Sequence, residues 1–329
     1  MNILITGAAG YVGSVVAEEA VKNGHSIIAL DDLSLGHQQA VPGGALLIKG
    51  NFGDKDLLDI LFRKYMFDAV MHIAASTIVS QSVADPARYF QNNIANSLNL
   101  LDKMVEYRVT KLIFSSSCAV YGYPDKVPIK EDILKNPVNP YGEAKLMLER
   151  ILHWYAGAYK FDSVSLRYFN AAGANGRRGE DHSPETHLIP LLLQVALGNS
   201  KNVAVFGNDY PTPDGTCIRD YVHVVDIASA HLLALDYLSS NPGCYTFNLG
   251  NGQGYSVLQI YNSIKSISGR NISVTYKGRR PGDPPVLIAD STLAKERLGW
   301  RPSYTGIKEI IESAWQWHKK HPNGYNDTL

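Results

Sequence analysis

The stretch Asn2-Ile3-Leu4-Ile5-Thr6-Gly7-Ala8-Ala9-Gly10-Tyr11-Val12-Gly13 decides the fold. Its first five residues have the apolar character of a buried strand, three glycines at every third position follow, and residues 12–23 carry a helical apolar pattern. Glycines between a strand and a helix permit a tight turn, let backbone N–H groups approach a diphosphate, and allow the helix to pack close on the strand. The helix N-terminus adds unpaired donors and partial positive charge facing the same anion. A second strand at 26–30 ends in Asp31, about 20 residues on. A carboxylate there accepts hydrogen bonds from the ribose 2′-hydroxyl of NAD and repels the 2′-phosphate of NADP, and no arginine lies nearby to reverse that choice. Glycine-rich turns follow many strands; the position after strand one and the acid ending strand two make this one a dinucleotide site.

Working outward, apolar runs at 2–6, 26–30, 45–48, 69–73, 111–115 and 163–166 alternate with helical patterns at 12–23, 55–64, 86–107 and 140–159. Such alternation predicts an α/β fold with a doubly wound parallel sheet of the Rossmann type, covered on both faces. From about residue 170 the texture changes to Gly173-Ala174-Asn175-Gly176-Arg177-Arg178-Gly179, and helices such as 188–197 are separated by longer loops, which predicts a smaller, mixed α/β C-terminal domain. The helical pattern at 222–238 and Tyr245-Thr246-Phe247-Asn248-Leu249 predict one more helix and strand returning to the first sheet. The expected division is therefore residues 1–170 plus about 222–250 for the dinucleotide, with 171–221 and 251–329 forming the second domain.

Composition narrows the classes of function. The chain has 329 residues, 45% hydrophobic and 19% charged, with 31 Lys plus Arg against 31 Asp plus Glu. It is too apolar for disorder, and a chain of this length buries roughly 75% of its extended surface without disulfide or metal support. Zero net charge argues against a nucleic-acid or membrane-surface partner. The apolar stretch 188–198 is shorter than the roughly 20 residues of a membrane span and is interrupted by Gln194. The chain opens without the basic segment and apolar core of a signal peptide. Cys118, Cys217 and Cys244 are far apart, with no CxxC spacing or His–Cys cluster of the zinc type, so no metal is expected. They read as small buried hydrophobes in a reducing cytoplasm.

Two further motifs carry chemistry. Phe114-Ser115-Ser116-Ser117-Cys118-Ala119-Val120-Tyr121-Gly122 lies at the C-terminal end of an expected strand, where open α/β sheets place their ligands. In Tyr141-Gly142-Glu143-Ala144-Lys145 the helical spacing puts Tyr141 and Lys145 on one face, one turn apart. An ammonium about 4 Å from a phenol stabilises the phenolate by a few kcal/mol at intermediate dielectric, a depression of about 2–3 pH units that makes tyrosine a usable base. A hydroxyl such as that of Ser117 is placed to hydrogen-bond the reacting oxygen. Tyr-x-x-x-Lys alone is a common surface pair; following the glycine motif and the serine strand, it reads as catalytic.

The set Gly7-x-x-Gly10-x-x-Gly13, Ser-Ser-Ser-x-x-Val-Tyr-Gly and Tyr-x-x-x-Lys resembles the extended short-chain dehydrogenase/reductase superfamily. More narrowly, Arg167-Tyr168-Phe169-Asn170, Phe206-Gly207-Asn208-Asp209-Tyr210-Pro211-Thr212, the run from Gly215 to Val224 and Arg280-Pro281-Gly282-Asp283 resemble the UDP-glucose (UDP-galactose) 4-epimerases, from Met1 to about Trp300. The resemblance implies bound NAD and a UDP-sugar oxidised at C4 and then reduced on its opposite face, with no net redox. Tyr141 is then the base, Ser117 holds the 4-oxygen, and Lys145 lowers the tyrosine pKa and binds the nicotinamide ribose. Gly7, Gly10, Tyr11, Val12, Gly13, Asp31, Asn51, Phe52, Ile73, Ala74, Ala75, Asn92, Ser115 and Tyr168 are the remaining residues it implies for the cofactor. The UDP-sugar falls to the second domain and its junction: Asn170 at the diphosphate, Arg219 and Arg280 on its phosphates, Asp283 at the uridine ribose, Ala204, Val205 and Phe206 at the uracil edge, with Leu188 and Tyr221 beside them.

Four positions depart from the family pattern. Asn51 replaces an Asp that accepts from the adenine amino group, Thr77 replaces a Lys found in some members, and His187 stands at a nucleotide-contacting position that is often Asn. Leu287 stands at a gate beside the sugar's 2-substituent, where Tyr excludes N-acetyl sugars and a small residue admits them. UDP-N-acetylglucosamine, UDP-xylose or arabinose and UDP-glucuronate therefore stay open as substrates, although a uronate needs an extra cation that no residue securely supplies. Related dehydratases carry an Asp-Glu pair, and decarboxylases a Glu, where this chain has Cys118 and Ala119. A non-catalytic dinucleotide sensor is expected to lack Tyr141, Lys145 or Ser117, and all three are present. A homodimer through the helices at 86–107 and 140–159 is implied; Leu98, Leu101, Leu148, Ile151 and Leu152 suit it, and suit sheet packing equally.

Overall fold

The computed structural model describes residues 1–280 and 282–326. Pro281 of the Arg280–Asp283 motif and residues 327–329 of the second domain lie outside the described residues. In chain order the first elements are β1 (Asn2–Thr6), α1 (Tyr11–Lys22), β2 (Ser26–Asp31), β3 (Ala45–Lys49), α2 (Lys55–Tyr65), β4 (Ala69–His72), α3 (Val79–Ala84), α4 (Pro86–Phe90), α5 (Asn96–Glu106), β5 (Lys111–Ser117), α6 (Pro140–Tyr159) and β6 (Asp162–Tyr168). There follow β7 (Asn170–Ala172), α7 (Leu188–Leu197), β8 (Val203–Phe206), β9 (Ile218–His223), α8 (Val224–Ser240), β10 (Cys244–Leu249), β11 (Gly254–Ser256), α9 (Val257–Ser268), β12 (Val274–Lys277), β13 (Val286–Leu287), α10 (Thr292–Arg297) and α11 (Ile307–Lys320).

Seven strands form one parallel sheet in the order β10-β6-β5-β4-β1-β2-β3. Alternation along β1 explains why it is covered on both faces: Ile3 and Ile5 pack with Val15 and Val16 of α1 and Ile227 of α8, whereas Leu4 packs with Phe62 of α2, Leu100 of α5 and Leu148 of α6. Leu101, Leu148 and Leu152 belong to that second face and are buried in the sheet core, with Leu98 and Ile151 packed at its edge. Sheet packing therefore accounts for the apolar residues considered above for a dimer. The chain runs from β1 outward to β3 and returns to β4 on the other side, so strand order reverses between β1 and β4. Ligands of such sheets bind at the C-terminal ends beside that reversal.

The expected single helix over 86–107 is interrupted: residues 91–95 form a wide π-turn between α4 and α5. The extra residue turns the buried Asn93 toward the loop after β4, where its amide accepts from Ser76 N at 2.8 Å and donates to Ser76 O at 2.9 Å. Apolar periodicity carries no trace of this, because the insertion serves a polar contact.

β7, β9, β11 and β13 form a small second sheet, and β8 pairs with β12. Ile189, Leu192 and Leu193 of α7, Ile260 and Ile264 of α9, and Ile310, Ile311 and Trp315 of α11 make a separate core beneath it. Among the described residues no helix is long and apolar enough to cross a membrane.

Candidate active site

The glycine loop is shaped by close approach. Gly7 has φ +72°, and a Cβ there would lie 2.6 Å from Ala74 N, so the turn rests directly on the backbone after β4. The amides of Ile73 and Ala74 donate to Thr6 O at 3.2 and 3.1 Å, binding the two loops together. A Cβ on Gly13 would lie 2.0 Å from Gly7 O, whereas one on Gly10 would meet only Gly7 O, at 3.4 Å. The protein's own packing thus requires glycine at 7 and 13 but not at 10. No side chain caps α1 and its first turn holds no acid. What a methyl group on Gly10 would occupy is the space before the helix N-terminus, where a diphosphate fits.

This contrast gives an expected result. Gly13→Ala forces a backbone shift and lowers stability by about 3 kcal/mol or more, read by thermal unfolding. Gly10→Ala changes stability by less than about 1 kcal/mol and weakens dinucleotide binding by at least about tenfold. Equal loss of stability in both would refute this reading of the loop.

Asp31 ends β2 beneath the loop, and its carboxylate accepts from Ala9 N and Leu33 N, each at 2.9 Å. Burial pushes its pKa up while these two amides pull it back. Asn51 Oδ1 accepts from Gly53 N at 2.7 Å and Asn96 Nδ2 at 3.3 Å, so the oxygen matched by resemblance to the adenine amino group already has two protein donors. Phe52 beside it packs on His72 with ring centres 4.9 Å apart. Asn92 Nδ2 donates to Ser76 Oγ at 3.1 Å, within the same loop system as Ala75. Tyr11 donates its hydroxyl to Gly173 O at 2.6 Å, which ties the start of α1 to the chain after β7. Val12 is half-buried behind it.

The catalytic candidates meet at the end of β5. Asn139 caps α6 by accepting from Gly142 N at 2.9 Å, with Pro140 in the first turn. A Cβ on Gly142 would lie 2.5 Å from Ala119 O, so the absence of a side chain lets the first turn of α6 lie against the turn after β5. That contact brings Tyr141 to Ser117, whose own hydroxyl accepts from Ala119 N at 3.2 Å. Lys145 is only 4% exposed; its ammonium donates to Ser115 O at 2.7 Å and lies 5.8 Å from the Tyr141 ring centre.

The electrostatics differ from the sequence expectation. Burial pushes the Tyr141 hydroxyl up to about 12, with the Ser117 hydroxyl easing the rise. Burial pushes the Lys145 amine down to about 7, against the pull of the Glu149 carboxylate. Lys145 is directed to a carbonyl rather than to the phenol, and desolvation penalises both charged forms. Helical spacing alone therefore does not set the tyrosine pKa: burial raises it.

Behind Lys145 stands a buried ionic network that the sequence reading missed. Arg167 Nε donates to Glu149 Oε1 at 2.9 Å, and its Nη1 donates to the Tyr121 hydroxyl at 2.8 Å. Tyr121 donates to Asn248 Oδ1 at 2.6 Å, and Ser116 completes the set by donating to Glu149. A charged residue one turn beyond Lys145 and an arginine within an otherwise small or apolar strand were the available signals. Ser115 has a separate partner: His231 Nδ1 lies 2.9 Å from Ile227 O and so carries the proton, which leaves Nε2 to accept from Ser115 Oγ at 3.2 Å. Tyr168 packs beside His231, with ring centres 6.2 Å apart.

Across the cleft, Arg219 of β9 forms an ion pair with Asp283 and donates to Ile218 O at 2.7 Å. Its charge favours the thiolate of Cys118 on the catalytic turn, against burial that pushes the thiol up to about 12. Leu287 pairs with Arg219 in the β13–β9 register and is buried against Val120, Tyr121, Leu146 and Phe169, so it bridges the two lobes. The Arg280 guanidinium lies 4.0 Å from the Phe206 ring centre, at the end of the strand that carries Ala204 and Val205. Asn170 opposes Tyr221 in the β7–β9 register. His187, just before Leu188 of α7, has its ring on Glu180 and Glu185 instead.

A family model described as the NAD dependent epimerase/dehydratase family matches residues 3–250. The chain is 47% identical over 328 residues to the UDP-glucose 4-epimerase of Halalkalibacterium halodurans, covering 99% of this chain and 98% of that protein. A crystal structure of a UDP-glucose 4-epimerase matches with a TM-score of 0.95 at 47% identity, covering 99% of both chains. The UDP-glucose 4-epimerase of Bifidobacterium longum, crystallised in complex with NAD+ and UDP, matches with a TM-score of 0.95 at 36% identity over 99% of this chain and 100% of that one. With a glycine loop at the strand-order reversal and a matching model over most of its length, the chain belongs to the NAD dependent epimerase/dehydratase family.

Proposed function

We propose that this protein is an NAD-dependent 4-epimerase of UDP-hexoses, interconverting UDP-galactose and UDP-glucose through a transient 4-keto sugar. The observation that carries this reading is the meeting of Tyr141 and Ser117 at the end of β5, in the sheet whose glycine loop fits a diphosphate. Bound NAD supplies a hydride acceptor for C4 and a positive charge that favours the tyrosinate. Tyr141 takes the proton of the 4-hydroxyl, and Ser117 holds the 4-oxygen in reach of it. Lys145, whose amine burial pushes down to about 7, supports the ionised phenol and stays anchored on Ser115 O. Arg219 and Arg280 grip the diphosphate, so that the keto sugar turns over while the nucleotide stays held. The same proton then returns from Tyr141 as the opposite face of C4 is reduced.

In this reading residues 1–170 with about 222–250 hold NAD, and 171–221 with 251–329 hold the UDP-sugar. Asp31 serves the adenosine ribose, Asp283 the uridine ribose, and residues 204–206 the uracil edge. The protein acts in the cytoplasm as a homodimer. Three unpaired cysteines suit a reducing compartment. Trp154, 77% exposed on α6, gives that helix an apolar surface for a second copy. Leu287, packed with Val120 and Leu146, is intermediate in size between the Tyr that excludes N-acetyl sugars and the small residue that admits them, so the 2-substituent is left to the substrate panel.

The test is a panel of UDP-galactose, UDP-N-acetylgalactosamine, UDP-arabinose and UDP-galacturonate at matched concentrations. UDP-galactose is expected to convert to UDP-glucose with the highest kcat/KM and no net accumulation of NADH. No conversion of UDP-galactose at any NAD concentration would refute the proposal.

A further inference from the structure

A cluster of charged and metal-ligating side chains lies outside the reaction described above. Glu180, His182, Glu185 and His187 follow the pattern Glu-x-His-x-x-Glu-x-His on the segment leading into α7, and their inward atoms all lie within 4.8 Å of one another. His187 Nδ1 is 2.8 Å from Glu180 Oε1 and 2.9 Å from Glu185 Oε1. His182 Nδ1 is 3.5 Å from Glu180 Oε1 and 3.7 Å from Glu185 Oε2. The two glutamate side chains are nearly sealed from solvent, at 6% and 5% exposure. His182 Nδ1 is fully enclosed and has no hydrogen-bond partner.

Glu185 Oε1 accepts from the amides of Thr186 and His187 at 2.7 Å each, yet two sealed carboxylates still call for positive charge, and an enclosed imidazole nitrogen for a partner. One divalent cation satisfies both requirements. Around a metal with bonds of about 2.1 Å, tetrahedral ligand atoms stand about 3.4 Å apart. His182 Nδ1 stands near that value from Glu180 Oε1, at 3.5 Å, and from Glu185 Oε2, at 3.7 Å, while His187 Nδ1 lies closer to Glu180 Oε1, at 2.8 Å. We propose that Glu180, His182, Glu185 and His187 form a binding site for one divalent transition-metal ion, zinc fitting best. Two imidazole nitrogens and two carboxylate oxygens are the mixed donor set that zinc accepts, whereas calcium and magnesium call for oxygen alone. The absence of cysteine pairs excluded only thiolate zinc sites; these donors are of another kind.

The site is structural rather than catalytic. Tyr11 of α1 stands edge-on to the His182 ring at 6.4 Å, and Asp181 accepts from Tyr325 N at 2.9 Å. A metal here clamps the 180–187 segment between the start of the glycine loop's helix and the chain end that follows α11.

The test uses full-length protein freed of metal with a chelator and titrated with Zn2+ against a chromophoric competitor. One ion per chain is expected, with thermal unfolding shifted upward by the metal. His182→Ala and Glu185→Gln are each expected to weaken zinc binding by more than about tenfold. Circular dichroism serves as the check that both variants are folded. If either fails to fold, Co2+ added to the unaltered protein decides: the strong visible absorption of a four-coordinate site with nitrogen ligands supports the proposal, and the pale spectrum of the aquo ion overturns it. Absence of stoichiometric zinc binding, or affinity unchanged in the folded variants, overturns it equally.

Discussion

Tyr141→Phe is expected to lower kcat by about 10²–10⁴-fold, the usual contribution of one positioned proton-transfer group. The ring is retained, so the packing of the first turn of α6 on the turn after β5 survives, and NAD binding with it. Only the phenolic hydroxyl, the proposed acceptor of the 4-hydroxyl proton, is removed. KM for the UDP-sugar is expected to change little, because in the proposed function Arg219 and Arg280, not Tyr141, grip the nucleotide. A loss confined to kcat marks an interaction made in the transition state. Near-normal turnover would remove Tyr141 from the role of base, and a loss confined to KM would make it a binding residue.

The second large effect is on stability. Removing one partner of a buried ion pair leaves an uncompensated charge and destabilises by about 3–5 kcal/mol. Arg167→Met is expected to do so, since it removes the guanidinium that pairs with Glu149 inside the fold beside Ser116. Replacing both partners together, with Glu149→Leu added, is expected to recover most of the loss. The double variant should nevertheless be impaired in catalysis, because the Glu149 carboxylate opposes the burial that pushes the Lys145 amine down. Without it, Lys145 loses its proton at a lower pH, and the alkaline limb of the pH–rate profile moves toward acid. Thermal unfolding and the profile separate the two roles: recovered stability with an unmoved profile would make the network purely structural.

Most of the parallel sheet was legible in the sequence because local patterns decide it. Strands buried on both faces read as continuous apolar runs, and 26–30 and 111–115 lie within β2 and β5. The glycine loop was legible for a different reason: Gly7 and Gly13 answer to backbone contacts closer than any side chain permits. Features that depend on polar contacts between distant segments were not legible. The π-turn at 91–95 exists to bring Asn93 to Ser76, and nothing in the periodicity of 86–107 signals it. The pairing of Glu149 with Arg167 joins a helix to a strand, and their register is set only when both pack. Spacing put Tyr141 and Lys145 on one face, but it carries nothing about burial, which raises the phenol and lowers the amine, since desolvation depends on what surrounds both groups.

In the proposed reaction, hydride leaves C4 and returns to C4 without escaping the site. UDP-galactose labelled with deuterium at C4 measures this directly, by NMR or mass spectrometry of the UDP-glucose formed in ordinary water. The label is expected to be retained at C4 in the product. Product carrying solvent hydrogen at C4 would contradict it.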